Sequence, residues 1–396
     1  MLKSKGKLNL PSKTKASAGK VYMDYAASFL PNPSSIHSLG IEAKSRLENA
    51  RKEVANILST IPENVIFTSG GTESNNLAIQ GVVFAWVLDK REKKIPHIIT
   101  TNIEHPSVLE TFKLLEKRNL VQISIVSVEP NGIVDPKKIK KEIKDNTVLV
   151  SVIYANNEIG TIQPIKEIAK EIRHFKKNNR QGLFPLFHTD GVQAANYLDL
   201  NVEKLGVDLL ALSSSKIEGG GRVGVLYKRK NVPLANIFGG GDQEMGLRPG
   251  TENLEEILKF SSALKLAYKM KENENKRLLI LKDYFIKKLL NLDPDIKING
   301  DLINRLPNNI NITIPNIPSD LLVIELSAYG IMVSSKSACK SSSKEGSYVI
   351  KAIHPEIDSE IGGLRFSLGR STTKKDIDFT LKTLSKILKK LGKWYN

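Results

Sequence analysis

The sequence predicts an α/β protein with a mostly parallel, seven-stranded sheet, followed by a smaller α+β domain. Seven short apolar runs alternate with amphipathic segments up to about residue 229, which is typical of strands joined by crossover helices. A long lysine-rich helical segment follows, and beyond it strands and helices come in mixed order. A chain of 396 residues can bury a large core and a smaller one. We therefore expect a tail over residues 1–20, a large domain over 21–260 and a small domain over 261–396.

The individual elements follow from hydrophobic spacing. Helices are predicted over 41–58, 107–118, 164–178, 255–292, 319–329 and 374–391. The seven apolar runs predicted as strands are 65–69, 97–101, 121–128, 147–155, 185–190, 209–213 and 223–229, and a further alternating stretch covers 308–315. The segment 219–224 matches the spacing of a dinucleotide-binding glycine motif, but it precedes a strand and does not open a helix, so we reject that function.

Composition limits the class of protein. No apolar run reaches the ~18 residues of a membrane span, and no secretory leader is recognisable, so we expect a cytoplasmic protein without a membrane partner. The net charge of +17 comes mostly from lysines on helical segments and from the first twenty residues, which carry six lysines and no acid. We interpret residues 1–20 as a disordered basic tail. Charge alone would allow nucleic-acid binding, which we do not expect to be direct.

Polar clusters follow five of the predicted strands at their carboxyl ends, where parallel sheets bind ligands. They comprise residues 70–75, 104–106 and 156–158, Asp190, and residues 213–216. Lys216 could form a Schiff base with a carbonyl cofactor, or could be a solvated lysine at a strand end. Gly70, Gly71 and Thr72 could bind a phosphate at a helix N-terminus, or could form an ordinary turn.

Three further residues could contribute chemistry. Asp190 could pair with a protonated ring nitrogen, although it could equally cap a helix beginning at residue 191. His105 could stack on a flat ring or move protons, whereas a lone histidine is more often structural. Cys339 is the single cysteine and lies in a loop rich in serine and lysine. Nearby cations favour its thiolate form. The alternative, a buried cysteine that packs as a small apolar residue, has little apolar sequence around it to support it. No spacing typical of a metal site occurs.

Together these stretches resemble the cysteine desulfurases, a group of class V aminotransferases within the fold-type I pyridoxal-phosphate enzymes. Nine segments carry the resemblance in order from Tyr22 almost to the C-terminus. They are MDYAA (23–27), NPSSIHSLG (32–40), FTSGGTESNN (67–76), the EH of NIEHPSV (102–108), ANNEIGTIQPI (155–165), HTDGVQA (188–194), GLRPGTEN (246–253), VSSKSAC (333–339) and RFSLGR (365–370).

The resemblance implies a role for each matching residue. Lys216 would carry pyridoxal 5′-phosphate and shuttle the substrate's Cα proton, and Cys339 would attack the sulfur of L-cysteine, leaving a persulfide and releasing alanine. His105 would be a third catalytic residue, stacked on the cofactor ring, and Asp190 and Gln193 would contact the ring nitrogen and ring oxygen. The phosphate would be bound by Gly71, Thr72, Ser213 and Ser215, and in a homodimer also by Thr251 of the other subunit. Asn156 and Arg365 would bind the substrate carboxylate, with Asn156 also near the cofactor.

The sequence departs from the family pattern beside the lysine. Ser215 stands where a histidine is usual, and residues 219–222 read Gly-Gly-Gly-Arg. We expect weaker cofactor binding, with Arg222 replacing the missing charge. The implied sulfur acceptor is an iron–sulfur scaffold protein or a tRNA-thiolation protein. The alternatives are a selenocysteine lyase or aminotransferase of the same class, and a weakly active sulfur carrier that binds a scaffold.

Overall fold

The computed structural model describes residues 21–89, 94–179, 182–335, 346–358 and 361–395. The predicted basic tail lies outside the described residues, as does Cys339 with its neighbours Lys336, Lys340 and Lys344. No helix in these ranges is long and apolar enough to cross a lipid bilayer.

The helices and strands alternate as the hydrophobic spacing predicts, with ends that differ by a few residues. The large part of the chain contains α1 (Ser38–Leu58), β1 (Val65–Thr68), α2 (Gly71–Leu88), β2 (His97–Thr101), α3 (Pro106–Lys117), β3 (Gln122–Val126), α4 (Pro136–Glu142), β4 (Thr147–Ser151), α5 (Ile165–Asn178), β5 (Leu186–Asp190), α6 (Val202–Leu205), β6 (Leu209–Ser213) and β7 (Gly224–Lys228). The remainder contains α7 (Leu254–Leu292), β8 (Lys297–Ile298), β9 (Asn309–Thr313), α8 (Ser319–Ala328), α9 (Tyr348–Ile353), β10 (Leu364–Ser367) and α10 (Lys374–Tyr395).

The main sheet has seven strands in the order β1-β7-β6-β5-β4-β2-β3, which confirms the predicted α/β class. Strands β2 to β6 run parallel, and β7 is antiparallel to both β1 and β6. The reversal follows from the short connection between β6 and β7, because a turn without a crossover helix can only join antiparallel strands. That connection carries Lys216.

Helices cover both faces of this sheet, and an apolar core lies on each side. A third core belongs to the small three-stranded antiparallel sheet, in the order β10-β9-β8, and to the helices α8 and α10. Parallel strands buried on both faces read as continuous apolar runs, which is why their pattern is recognisable in the sequence.

Helix α7 links the two parts of the molecule. Its first half, with Phe260 and Leu264, packs into the core of the large domain, whereas Phe285 and Leu289 pack into the core of the small domain. A boundary between residues 260 and 261 would fall inside the first half of this helix. We therefore propose that the division lies further along α7, between its two packing regions.

Candidate active site

A cavity of about 510 Å³ lies at the carboxyl ends of β4, β5 and β6 and is bordered by the N-termini of α2 and α3. Its lining collects most of the residues predicted from the strand ends and from the family resemblance: Gly71, Thr72, His105, Asp190, Gln193, Ser213, Ser215, Lys216 and, from β10, Arg365. The parallel strands end at one edge of the sheet, so side chains far apart in sequence meet there.

One end of the cavity is built to receive an anion. The first hydrogen bond of α2 runs from Ser74 N to Gly70 O, so the N–H groups of residues 71–73 have no helical acceptor. The hydroxyls of Ser213 and Ser215 lie 3.0 Å apart beside this helix end. A Cβ on Gly71 would lie 2.8 Å from Val192 Cγ2 in the turn after β5 and 3.3 Å from Ser213 Cβ at the end of β6, so the close approach of α2 to both favours glycine here.

Arg222 does not line this cavity, and its replacement of the missing charge stays a prediction. It lines a separate, smaller cavity, and its N–H donates to Glu256 Oε2 at 2.9 Å. Gly221 before it has a φ of 73°, a left-handed conformation that glycine adopts without strain, and Glu256, which accepts the backbone N–H of Arg222, lies on α7. Among the described residues, the lysine and arginine side chains that line the larger cavity are Lys216 and Arg365.

Lys216 ends a short 3-10 turn directly after β6, and its side chain lines the cavity. Two bonds of the Ser214 hydroxyl hold the turn: it donates to Gly221 O at 2.8 Å and accepts from Val223 N at 2.7 Å. Asn196 Nδ2 donates to the carbonyl of Lys216 at 2.6 Å. The lysine backbone is therefore fixed on both sides while its amine reaches the cavity.

Asp190 ends β5 and is 4% exposed. Its Oδ1 accepts the N–H of Val192 at 3.0 Å, and its Oδ2 accepts Asn75 Nδ2 at 2.7 Å. Residues 192–197 form turns and no helix begins at residue 191, so the alternative of a helix cap is wrong. Its carboxylate also lines the cavity, where it can face a cationic ring nitrogen.

His105 caps the N-terminus of α3, since its Nδ1 accepts the N–H of Ser107 at 3.1 Å. Ser107 Oγ lies 2.8 Å from the same nitrogen. Burial lowers the pKa of His105, and the charge of Lys216 lowers it further, whereas Asp190 raises it. A ring nitrogen that accepts a backbone N–H carries no proton, so His105 is neutral and its proton sits on Nε2.

Glu104 is fully buried directly before His105. Burial raises its pKa to about 8, and the negative charge of Asp190 adds to this effect. Its Oε1 accepts Thr101 Oγ1 at 2.6 Å and Ile153 N at 2.9 Å, and both bonds pull the pKa the other way. Burial therefore favours the neutral, protonated form of the Glu104 carboxyl group.

Asn156 lies behind the cavity wall, and its contacts with substrate and cofactor stay a prediction. Its Oδ1 accepts the N–H groups of Glu158 and Ile159, and its Nδ2 donates to Ile103 O at 2.8 Å. The side chain is fully buried and is absent from the cavity lining, in which its neighbour Asn157 takes part. The carbonyl of Asn157 accepts Arg365 Nη1 at 2.8 Å.

Arg365 faces the cavity from the small domain, on β10. Burial lowers its pKa, while the nearby carboxylate of Glu158 raises it. Because an arginine remains charged in proteins, a guanidinium in this partly closed space is suited to a substrate carboxylate.

Thr251 lies outside this cavity. It lines a separate one with Glu73 and Arg248, next to the N-terminus of α2. Its contribution to the site of a second subunit stays a prediction. Sequence reasoning gave no individual role to several lining residues, namely Asn75, Ser107, Asn157, Asn196, Tyr197 and Asn308. For Asn75 and Ser107 the available signal was their position inside two of the recognised stretches, 67–76 and 102–108.

Comparison with known proteins agrees with this geometry. The sequence profile of the class-V aminotransferases matches residues 2–379. Cysteine desulfurase IscS of Dictyoglomus turgidum is 41% identical over 389 residues, which cover 94% of this chain and 95% of the relative. The protein of the same name from Methanosarcina thermophila is 41% identical over 369 residues, which cover 93% and 88%.

Among solved structures, a NifS-like protein is similar with a TM-score of 0.81 and 35% identity, covering 91% of this chain and 92% of that one. Both the sequence match and the structural match therefore extend over nearly the whole length. The chain belongs to the class-V aminotransferases, within their cysteine desulfurase group.

Proposed function

We propose that the protein is a cysteine desulfurase that uses pyridoxal 5′-phosphate, converts L-cysteine to L-alanine and collects the sulfur on Cys339. One observation carries the proposal: Lys216, Asp190 and His105 converge on a single cavity whose other wall presents Arg365. Cation, carboxylate, neutral imidazole and guanidinium are the groups that a cofactor of this kind and an amino acid substrate require.

The residues present fit the cofactor. The free N–H groups of α2 and the hydroxyls of Ser213 and Ser215 suit its phosphate, and glycine at position 71 lets α2 begin close to Ser213. Asp190 suits the ring nitrogen, Gln193 the ring oxygen and Lys216 the covalent attachment. When bound, pyridoxal 5′-phosphate supplies an electron sink that lets an amino acid lose its Cα proton.

The side chains of this chain then divide the work. Arg365 binds the carboxylate of the substrate and thereby orients its Cα toward Lys216. Lys216 Nζ takes the Cα proton and returns it to carbon. His105 presents Nε2–H to the cavity, so it can donate a hydrogen bond there but cannot accept one through Nδ1, which is occupied. We propose Asn157 in place of Asn156 as the amide neighbour of this substrate position.

Cys339 would perform the sulfur transfer. Its thiolate attacks the substrate sulfur, the bond between that sulfur and Cβ breaks, and a new S–S bond forms as the persulfide. The electron pair of the broken bond stays on carbon, which takes up a proton and leaves as alanine. Lys336, Lys340 and Lys344 are close in sequence, and their positive charge favours the thiolate.

We further propose a homodimer in which Thr251 reaches the phosphate site of the second subunit. Large apolar side chains near the start of the described chain support this proposal: Met23 is 89% exposed, Ile36 is 94% exposed and Phe29 is 64% exposed. Surfaces of this kind are typical of protein interfaces. The persulfide would pass to an iron–sulfur scaffold protein or a tRNA-thiolation protein, in the cytoplasm, where thiols stay reduced.

The test measures alanine and sulfide released from L-cysteine, with added pyridoxal 5′-phosphate and a reductant. We expect both products from the wild type and from the surface control Lys230→Ala, and neither from Lys216→Ala or Cys339→Ala. A wild type that binds the cofactor without releasing alanine would overturn the proposal. In that case the second candidate function is a weakly active sulfur carrier. Ser215 favours it, because a neutral hydroxyl holds the cofactor phosphate less strongly than a cation would.

A further inference from the structure

We propose that Asn75 is a positioning residue that orients Asp190 and, through Ser107, His105 toward the ring of the cofactor. The inference rests on the proposed cofactor and goes beyond it, because Asn75 has no role in the chemistry described above. Its side chain is 1% exposed and lies on α2, one helical turn after the phosphate-binding end.

A single amide group makes both contacts. Asn75 Nδ2 lies 2.7 Å from Asp190 Oδ2 and 2.8 Å from Ser107 Oγ, which joins β5 to the N-terminus of α3. An ionised carboxylate can only accept hydrogen bonds, so the nitrogen of the amide must face Asp190. This requirement settles the orientation of Asn75 although its Oδ1 is buried without a hydrogen-bond partner within the described chain.

The orientation of Asn75 determines the direction of the bonds beyond it. Its second N–H donates to Ser107 Oγ, so the proton of that hydroxyl is free to point at His105 Nδ1, 2.8 Å away. The N–H of Ser107 donates to the same nitrogen. Both donors stabilise the tautomer with its proton on Nε2, and each hydrogen bond in such a chain polarises the next.

The same arrangement sets the charges around the ring site. Asp190 and Lys216 are the charged groups that act on His105, the first favouring and the second opposing its protonation. Asn75 holds the Asp190 carboxylate by one oxygen and Val192 N holds it by the other, so the two bonds fix the orientation of the carboxylate. One amide thereby keeps the anion for the ring nitrogen and keeps the imidazole neutral.

The experiment compares two variants. Asn75→Leu removes the contacts with both Asp190 and Ser107, whereas Ser107→Ala removes only the hydroxyl that links Asn75 to His105. The control is Asn64→Leu, since Asn64 is also buried, donates one side-chain hydrogen bond to Thr60 and lies outside the cavity. Two quantities are measured on the full-length chain. One is the dissociation constant of pyridoxal 5′-phosphate, and the other is the pKa of His105 without cofactor, from NMR of labelled histidines assigned with His105→Gln.

We expect Asn75→Leu to weaken cofactor binding by about tenfold or more, as for the loss of a hydrogen bond to a charged group, and to raise the pKa of His105. Ser107→Ala should raise that pKa while changing cofactor affinity by less than about threefold. The control should leave both quantities unchanged. A His105 pKa that stays the same in Asn75→Leu and Ser107→Ala would overturn the proposal, even if both variants unfold more easily.

The two readouts also separate this inference from the proposed function. The titration of His105 needs no cofactor, so it tests the hydrogen-bond chain even if the wild type fails to bind pyridoxal 5′-phosphate. If the pKa of His105 rises in both variants as expected but the wild type does not bind the cofactor, the proposed function is overturned and this inference is not.

Discussion

Replacing Ser215 by histidine should tighten cofactor binding. The hydroxyl of Ser215 lies 3.0 Å from that of Ser213 at the anion end of the cavity, so a longer side chain at position 215 starts beside the phosphate position. The described residues place only hydroxyls and helical N–H groups there, apart from Lys216. Ser215→His adds a group that can carry a positive charge at this end.

The magnitude follows from Coulomb's law. An imidazolium about 4 Å from a phosphate charge gains ~1 kcal/mol in water and ~4 kcal/mol at the screening typical of a protein surface. Because the cavity is partly open to solvent, we expect a gain of about 1–2 kcal/mol, which is a 5- to 30-fold tighter dissociation constant. The gain should be larger at pH 6 than at pH 8.5, since a free histidine loses its charge near pH ~6.5.

The assay is equilibrium dialysis of pyridoxal 5′-phosphate against the cofactor-free protein at several pH values and salt concentrations. Ser215→Asn is the matched control, because its side chain has a similar reach and carries no charge. The gain of the histidine variant should also fall as salt is added. Equal tightening by asparagine and histidine, or a gain without pH dependence, would refute the reasoning that the phosphate end lacks charge.

Three other predictions follow from the site. The pKa of Glu104 is raised to about 8 in the folded protein, so its contribution to stability is present below pH ~4.5 and is lost as the pH rises toward 8. Glu104→Gln should therefore gain up to about 4 kcal/mol relative to wild type between pH 5 and pH 8 in urea unfolding, and an equal difference at both pH values would contradict this. Arg365→Lys should raise the KM for L-cysteine by about tenfold or more in steady-state kinetics, because a lysine cannot form two parallel bonds to a carboxylate; an unchanged KM would exclude a carboxylate contact. Arg248→Met removes the ion pair between Arg248 Nε and Glu73 Oε1 at 3.0 Å. Because Glu73 also accepts the N–H of Ser69 just before α2, the phosphate-binding end should become less ordered. Equilibrium dialysis should then show a loss of cofactor affinity of about two- to fivefold. An unchanged cofactor affinity in Arg248→Met would show that this ion pair does not support the phosphate-binding end.

Much of the fold could be predicted because buried parallel strands have a plain pattern. The apolar runs mark each strand of the main sheet, and the residue after each run marks its carboxyl end. This is why the sequence pattern alone points to Gly71, Asp190 and Lys216, and why the folded chain brings them to one cavity. The carboxyl ends of parallel strands lie at one edge of the sheet, so residues at these ends come together even when the loop conformations are unknown.

Choices between adjacent residues within a turn could not be predicted. Asn156 and Asn157 have the same chemistry, yet the turn after β4 buries the first against backbone groups and leaves the second at the cavity. Arg222 follows soon after Lys216 in sequence, yet it lines a different cavity. Sequence spacing carries no information on the direction of a side chain in a loop, because φ and ψ there follow no period.

The amino-acid sequence by itself determined the fold class, the edge of the sheet that binds ligands and most of the chemical groups gathered there, since these depend on hydrophobic periodicity and on residue type. Only the tertiary structure decided the direction in which the pKa values of His105 and Glu104 shift and the link through Asn75, because they depend on burial and on hydrogen bonds between segments distant in sequence. The position of a charge in an apolar surrounding, and the donors that face it, exist only once those segments pack together.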